Sequence, residues 1–362
     1  MARIAEVFGF SVSDSSAEAV ASRKAASCPF MSAPCDGGGN RHLSRLPLVD
    51  DPELAAKFDT DADSVHAGVC SIQTVEGDTP WIVCPRRLLA LGRHAPGVRQ
   101  NQSVAEQSLL RFSGYSSGTR VGIWPEVKIK IDVLVNGDRK RFDYTFDYVL
   151  MPLGPLEVPP EGLAGLDIAK LRSAGWESIP THGRGEFIEG PDGSPTIVEI
   201  MTSSTSGGNK RKGTTIPQAF RESVMTGSGA VGPGINYRQV WARMASQLIV
   251  KSEAAMAWDG RTVWVIQDHL ADYITKTTAL DLEFFESAEL NEVNMLSLPF
   301  DHATALSEGV ANLRMFAGPI KPEGAADTPS FSDIVRAAAI PPRSALMRAL
   351  LARAPSQLVV VT

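Results

Sequence analysis

The chain has 362 residues, 43% of them hydrophobic and 21% charged, which is the composition of a globular protein long enough to bury a full core without a disulfide scaffold. No run of about 18 apolar residues occurs, which excludes a membrane-spanning helix; the opening Met1-Ala2-Arg3-Ile4-Ala5-Glu6 is followed by no apolar leader, so a cytoplasmic protein with reduced thiols is expected. The formal net charge of −6 argues against coating nucleic acid by bulk charge and leaves only a local basic cleft for that purpose.

Residues 1–27 are polar and rich in Ala and Ser, relieved only by Ile4, Val7, Phe8 and Phe10. Residues 28–100 hold all the cysteines among Gly, Pro and Asp, with a loop at Gly37-Gly38-Gly39 and a short helix expected over Pro52–Lys57. A helix is expected over Gln107–Phe112. The alternation of Val127–Val135 and of Arg141–Leu150 around Asn136-Gly137 predicts a β-hairpin. Residues 151–165 read as a Pro- and Gly-rich loop, Ile168–Ala174 as a short helix and Thr196–Ile200 as an apolar strand. Tyr237–Ala257 reads as an amphipathic helix with apolar Val240, Trp241, Met244, Leu248, Ile249 and Met256; Thr262–Ile266 is a buried strand and Asp268–Ile274 begins another helix. The fold class is therefore α/β, a mixed central sheet flanked by helices. The expected division is a small loop-rich N-terminal element over 1–104 and the sheet-and-helix core with a C-terminal extension over 105–362.

The four cysteines, Cys28, Cys35, Cys70 and Cys84, fall within 57 residues, separated by six, thirty-four and thirteen others. In a reducing compartment such clustering points to a metal more than to disulfides, and four thiolates suit zinc or a single iron. A Pro follows both Cys28 and Cys84 and stiffens the chain beside the sulfur. A segment this poor in regular pattern gains folding free energy from a bound ion.

Carboxylates mark a second locality. Asp143 and Asp147 alternate onto the hairpin face opposite Phe142, Tyr144, Phe146 and Tyr148, where solvent exposure is the ordinary explanation. Glu199 interrupts a Val/Ile strand, where an unpaired charge is costly. An Asp and a Glu at the ends of adjacent strands suit Mg²⁺ and, with a phosphodiester, hydrolysis. The basic runs Arg86, Arg87, Arg93, Arg99 and Lys210, Arg211, Lys212 are ordinarily solvated faces; in a DNA enzyme they would suit phosphate or guanine contacts. His42, His66, His94, His182, His269 and His302 show no ligand spacing, and Trp241, Trp258 and Trp264 read as core.

Five stretches taken together, Cys28-Pro29-Phe30, Gly68-Val69-Cys70, Trp81-Ile82-Val83-Cys84-Pro85, Thr145-Phe146-Asp147-Tyr148-Val149-Leu150 and Val198-Glu199-Ile200-Met201-Thr202, resemble the NotI type of type II restriction endonuclease over about residues 25–280. The resemblance implies a PD-(D/E)XK core acting as a homodimer on double-stranded DNA with a palindromic site. It implies one structural iron held by Cys28, Cys35, Cys70 and Cys84, with zinc the alternative, and catalytic Mg²⁺ on Asp147 and Glu199. The third motif position falls on Met201, where the superfamily usually has Lys; methionine carries no charge and donates no hydrogen bond. Lys210 or Lys212 is expected to supply the missing donor, with Glu126 a more distant carboxylate. The rival expectation is a metal-stabilised DNA-binding or regulatory protein on a decayed nuclease fold.

Overall fold

The computed structural model describes residues 1–38, 44–91, 100–135, 138–180, 185–205, 208, 214–277, 293–300, 310–313 and 341–361. Its backbone is the expected hairpin, made longer. Strands Arg120–Val135 and Asp138–Val158 pair antiparallel from Asp138↔Val135 to Pro152↔Val121; the expected turn at Asn136-Gly137 lies outside the described residues.

The free edge of the second strand recruits the rest of the sheet. Residues 148–150 pair antiparallel with Thr196–Val198, and residues 153–158 with Glu186–Pro191. The loop expected over 151–165 is thus corrected: the strand runs on to Val158. Pro152, Gly154 and Pro155 depress local strand propensity. Tertiary burial outweighs them, because Val158 and Leu156 join the cluster around Trp176 and Ile188.

Thr196–Met201, Arg261–Gln267 and Val293–Leu298 run parallel to one another, and Val310–Leu313 closes that edge antiparallel. Gln357–Val360 covers the other edge at Arg120–Ile123. Parallel neighbours need a crossover, and helix Tyr237–Ala257 supplies it between the first two, capped at its start by the Asn236 side chain on the Gln239 N–H. The result is a mixed α/β protein with a central mixed sheet flanked by helices. Alternation sends Tyr148, Leu150, Val198 and Val263 into one apolar layer with Leu88 and Leu109. Val149, Met151 and Ile197 enter a second layer with Trp124, Phe146 and Trp258. Trp258 and Trp264 are core, as expected.

Residues 1–27 contribute more than their sequence suggests. Arg3–Val7 is an inner strand of a small sheet with Phe10–Ser11, Val69–Gln73 and Trp81–Ile82, packed against Phe220 of helix Ile216–Thr226. This sheet is fastened to the large one by Gln267, whose Oε1 accepts from the Ile82 N–H at 2.8 Å and whose Nε2 donates to the Pro80 carbonyl at 2.9 Å. The division expected after residue 104 falls inside helix Gln100–Phe112, and Ile82, Leu88 and Leu89 share one apolar cluster with Leu109 and Leu110.

The hairpin has one irregularity. Nearer the tip, Val127, Ile129, Tyr144 and Phe146 face the second layer; nearer the base, Val121, Ile123, Tyr148 and Leu150 face the first. The phase of the alternation therefore inverts between Trp124 and Val127 on one strand and between Phe146 and Tyr148 on the other. Glu126, at φ +49°, sits in left-handed backbone at that point.

Candidate active site

Asp147 stands at the inversion. It lines the cleft together with Thr145, two residues before it, and directly precedes the stretch where Val149 and Met151 take over the second layer. Glu199 has the phase of Ile197 on the neighbouring strand, and the two carboxylates meet. The Asp147 N–H donates to Glu199 Oε1 at 3.4 Å, and the Ile200 N–H donates to Asp147 Oδ2 at 2.9 Å. Glu199 is only 2% exposed. Burial pushes its carboxyl up to about 8; the Lys251 ammonium pulls it down, and the charge of Asp147 raises it again.

Lys251 is the residue that sequence reasoning missed. It lies on helix Tyr237–Ala257, its ammonium donates to Glu199 Oε2, and it stands 5.8 Å from the centre of the Phe146 ring. Met201, expected at the third motif position, lines the same cleft as a thioether. The cation beside Glu199 comes from a helix, fifty residues beyond Met201. Lys210 and Lys212, the expected sources, lie outside the described residues, as does Arg211. A signal was present in the sequence: Gln239, Arg243, Gln247 and Lys251 recur every four residues, a polar row beside the buried row Val240, Met244 and Leu248.

The cleft has a volume of about 490 Å³. The helix row forms one wall, Thr145 and residues 201–205 the floor, and Val83 and Pro85 the opposite wall. That last wall belongs to the cysteine element. The Thr202 hydroxyl donates to the Val83 carbonyl at 3.3 Å and the Ser203 N–H to the Ile82 carbonyl at 3.0 Å.

Cys28, Cys70 and Cys84 are buried together with Phe30 and Ala90, and Cys35 packs at their edge. Backbone N–H groups point at every sulfur: Phe30 and Met31 at Cys28, Gly37 at Cys35, Gly9 at Cys70 at 3.2 Å, and Arg86 and Arg87 at Cys84. Gly38, at φ +58°, lets the chain pass where a Cβ would come within 3.0 Å of the Cys84 sulfur. Burial pushes the Cys28 thiol up to about 11 and Cys35 up to about 12, each with Cys84 adding to the rise. The Cys70 thiol donates to the Gly68 carbonyl at 3.6 Å; its neighbour Cys84 and burial raise Cys70, while Cys70 and the Arg86 and Arg87 N–H groups lower Cys84. Among the described residues no three His, Cys, Asp or Glu side chains stand in a ready ligand arrangement. Soft sulfurs converging under a canopy of N–H donors nonetheless suit a thiolate-loving metal, and the hard oxygens of Asp147 and Glu199 suit a divalent cation such as Mg²⁺.

The arginines beside Cys84 are engaged within the fold. Arg87 is buried, pairs with Glu6 at 3.0 Å and lies 4.6 Å from the centre of the Phe300 ring. Arg86 donates to the Tyr148 hydroxyl at 3.3 Å and to Glu126 at 3.2 Å, and faces Asp36 at 3.6 Å. It ties the cysteine element to both sides of the hairpin inversion. Asp143 stands on the exposed ribbon face opposite Lys130, apart from Glu199. No helix of the described residues is long and apolar enough to cross a membrane. No family model, no curated protein and no solved structure matches the chain.

Proposed function

We propose that this chain is a Mg²⁺-dependent, site-specific endonuclease of double-stranded DNA, of the NotI restriction type, acting as a homodimer on a palindromic site. The observation that carries the reading is the meeting of Asp147, Glu199 and Lys251, from two adjacent strands and one helix, in an open cleft. Asp147 and Glu199 would hold the divalent cation, which when bound neutralises phosphate charge and makes water more acidic. Lys251 places a donor where negative charge grows on the phosphorus oxygens, the electrostatic role that a Lys on the strand would otherwise fill. Thr145 and the Ser203–Thr205 segment offer hydroxyl and backbone groups to the strand being cut. Cys28, Cys35, Cys70 and Cys84 would hold one iron, or zinc in its place, and keep Val83 and Pro85 in the cleft wall.

Met201 supports the rival reading of a decayed nuclease; the Lys251 ammonium beside Glu199 supports the active one. Plasmid cleavage in Mg²⁺ and in EDTA tests the choice. Asp147→Ala and Glu199→Ala are expected to abolish cutting while Ca²⁺-supported duplex binding persists. Wild-type protein that binds duplex DNA and never cuts it in Mg²⁺ or Mn²⁺ would establish the regulatory reading instead.

A further inference from the structure

The helix that delivers Lys251 carries a second feature. Gln247 and Arg243 lie one and two helical turns before it, exposed, and both line the cleft. The next row round the helix, Val240, Met244 and Leu248, is buried against Trp264 and Ile266 of the central strand, so the exposed row is fixed in rotation about the helix axis. At 1.5 Å per residue, Arg243 stands about 12 Å along the axis from Lys251. Its Nη1 reaches the Ser204 hydroxyl at 3.5 Å, across the floor of the cleft. Gln239, one turn further on, has its amide oxygen engaged by the Asn236 side chain at 3.1 Å.

The two side chains offer different chemistry. A guanidinium presents only donors and matches a phosphate, which only accepts. A glutamine amide presents a donor and an acceptor together. A phosphate cannot use that combination, but the major-groove edge of a base can, adenine above all. We infer that this row seats the strand being cut, with Arg243 on a phosphate a few nucleotides from the scissile one and Gln247 on a base edge between them. The inference rests on the nuclease reading and deepens it by placing sequence discrimination on the same helix as the catalytic cation.

The test uses the full chain, Ca²⁺ to hold catalysis silent and a labelled mixed-sequence DNA duplex, with binding measured across a salt series. Arg243→Gln is expected to lower the slope of log K against log salt by about 0.9, one phosphate's worth, and Arg243→Lys to restore it. Gln247→Ala should leave the slope unchanged. It should broaden the sequences recovered from the bound fraction, with about a tenfold or greater loss of discrimination at one base position. Circular dichroism confirms that each variant is folded. An unchanged slope in Arg243→Gln, or an unchanged recovered sequence set in Gln247→Ala, overturns the inference while wild-type cleavage leaves the nuclease reading standing. Wild-type protein with no salt-dependent affinity for the duplex overturns both.

Discussion

Lys251 shows how one side chain can be shared between stability and chemistry. Its ammonium draws down a carboxyl that burial pushes up. Replacing it with methionine keeps the volume of the stem beside Phe146 and removes the donor. Lys251→Met is expected to slow single-turnover cleavage about 10²- to 10³-fold, the usual cost of one lost electrostatic contact to the transition state. Duplex affinity in Ca²⁺ should change far less, because the rest of the helix row is intact. Equal losses in affinity and rate would mean that Lys251 serves binding and not the chemical step.

Among the elements, those with strong local pattern were legible and those held by distant partners were not. Tyr237–Ala257 is a helix with the limits its periodicity implies, and Arg261–Gln267 is the expected buried strand. Arg3–Val7 is too short to announce itself and owes its place to pairing with Val69–Gln73. Helix Pro52–Ala55, shorter than the expected Pro52–Lys57, is held from outside: Asp51 caps it through the Leu54 N–H at 3.1 Å and pairs with Arg221 of helix Ile216–Thr226. The Arg221 hydrogen bond, more than any other influence, holds the Asp51 carboxyl below its ordinary range. A carboxyl so depressed stabilises the fold above the unfolded-state value near 3.8, and that contribution disappears as pH falls through the folded-state value. Asp51→Asn should therefore melt at a lower temperature than wild type at neutral pH, with the difference shrinking in acid. A difference independent of pH would assign the effect to packing.

For the molecule as a whole, the cysteine element and the sheet act as one body. Val83 and Pro85 wall the cleft one residue either side of Cys84, and Arg86 reaches across to Tyr148 and Glu126. Elemental analysis is expected to find close to one equivalent of iron or zinc per chain. Stripping the metal with a chelator, or making Cys70→Ser, should lower the melting temperature and weaken cleavage together, since ion binding is coupled to folding of the segment that shapes the cleft. A metal-free chain with unchanged melting and cleavage would refute this. The cysteines and Glu199 could be picked out from the sequence because their residue types are out of place where they stand. Lys251 was marked only by the polar row it shares with Gln239, Arg243 and Gln247, and nothing in that row names its partner, which lies fifty-two residues away and is brought to it by the crossover helix.

The left-handed residue at Glu126 makes this site sensitive to backbone conformation as well as to its side chains. A β-branched residue resists positive φ more than any other class, and forcing one there costs about 1–3 kcal/mol of strain. Glu126→Val would strain the backbone at the level of Asp147, between the pairs Phe146↔Val127 and Tyr148↔Pro125, and shift the strand beside the one that carries it. Glu126→Gly permits the same dihedral freely and removes the same carboxylate from Arg86. The pair therefore separates conformation from charge: the glycine variant should keep divalent-cation binding by calorimetry, and the valine variant should lose it with every polar group of the cleft still in the chain. If both lose it alike, the carboxylate is what matters at position 126, and the geometry of the turn is incidental.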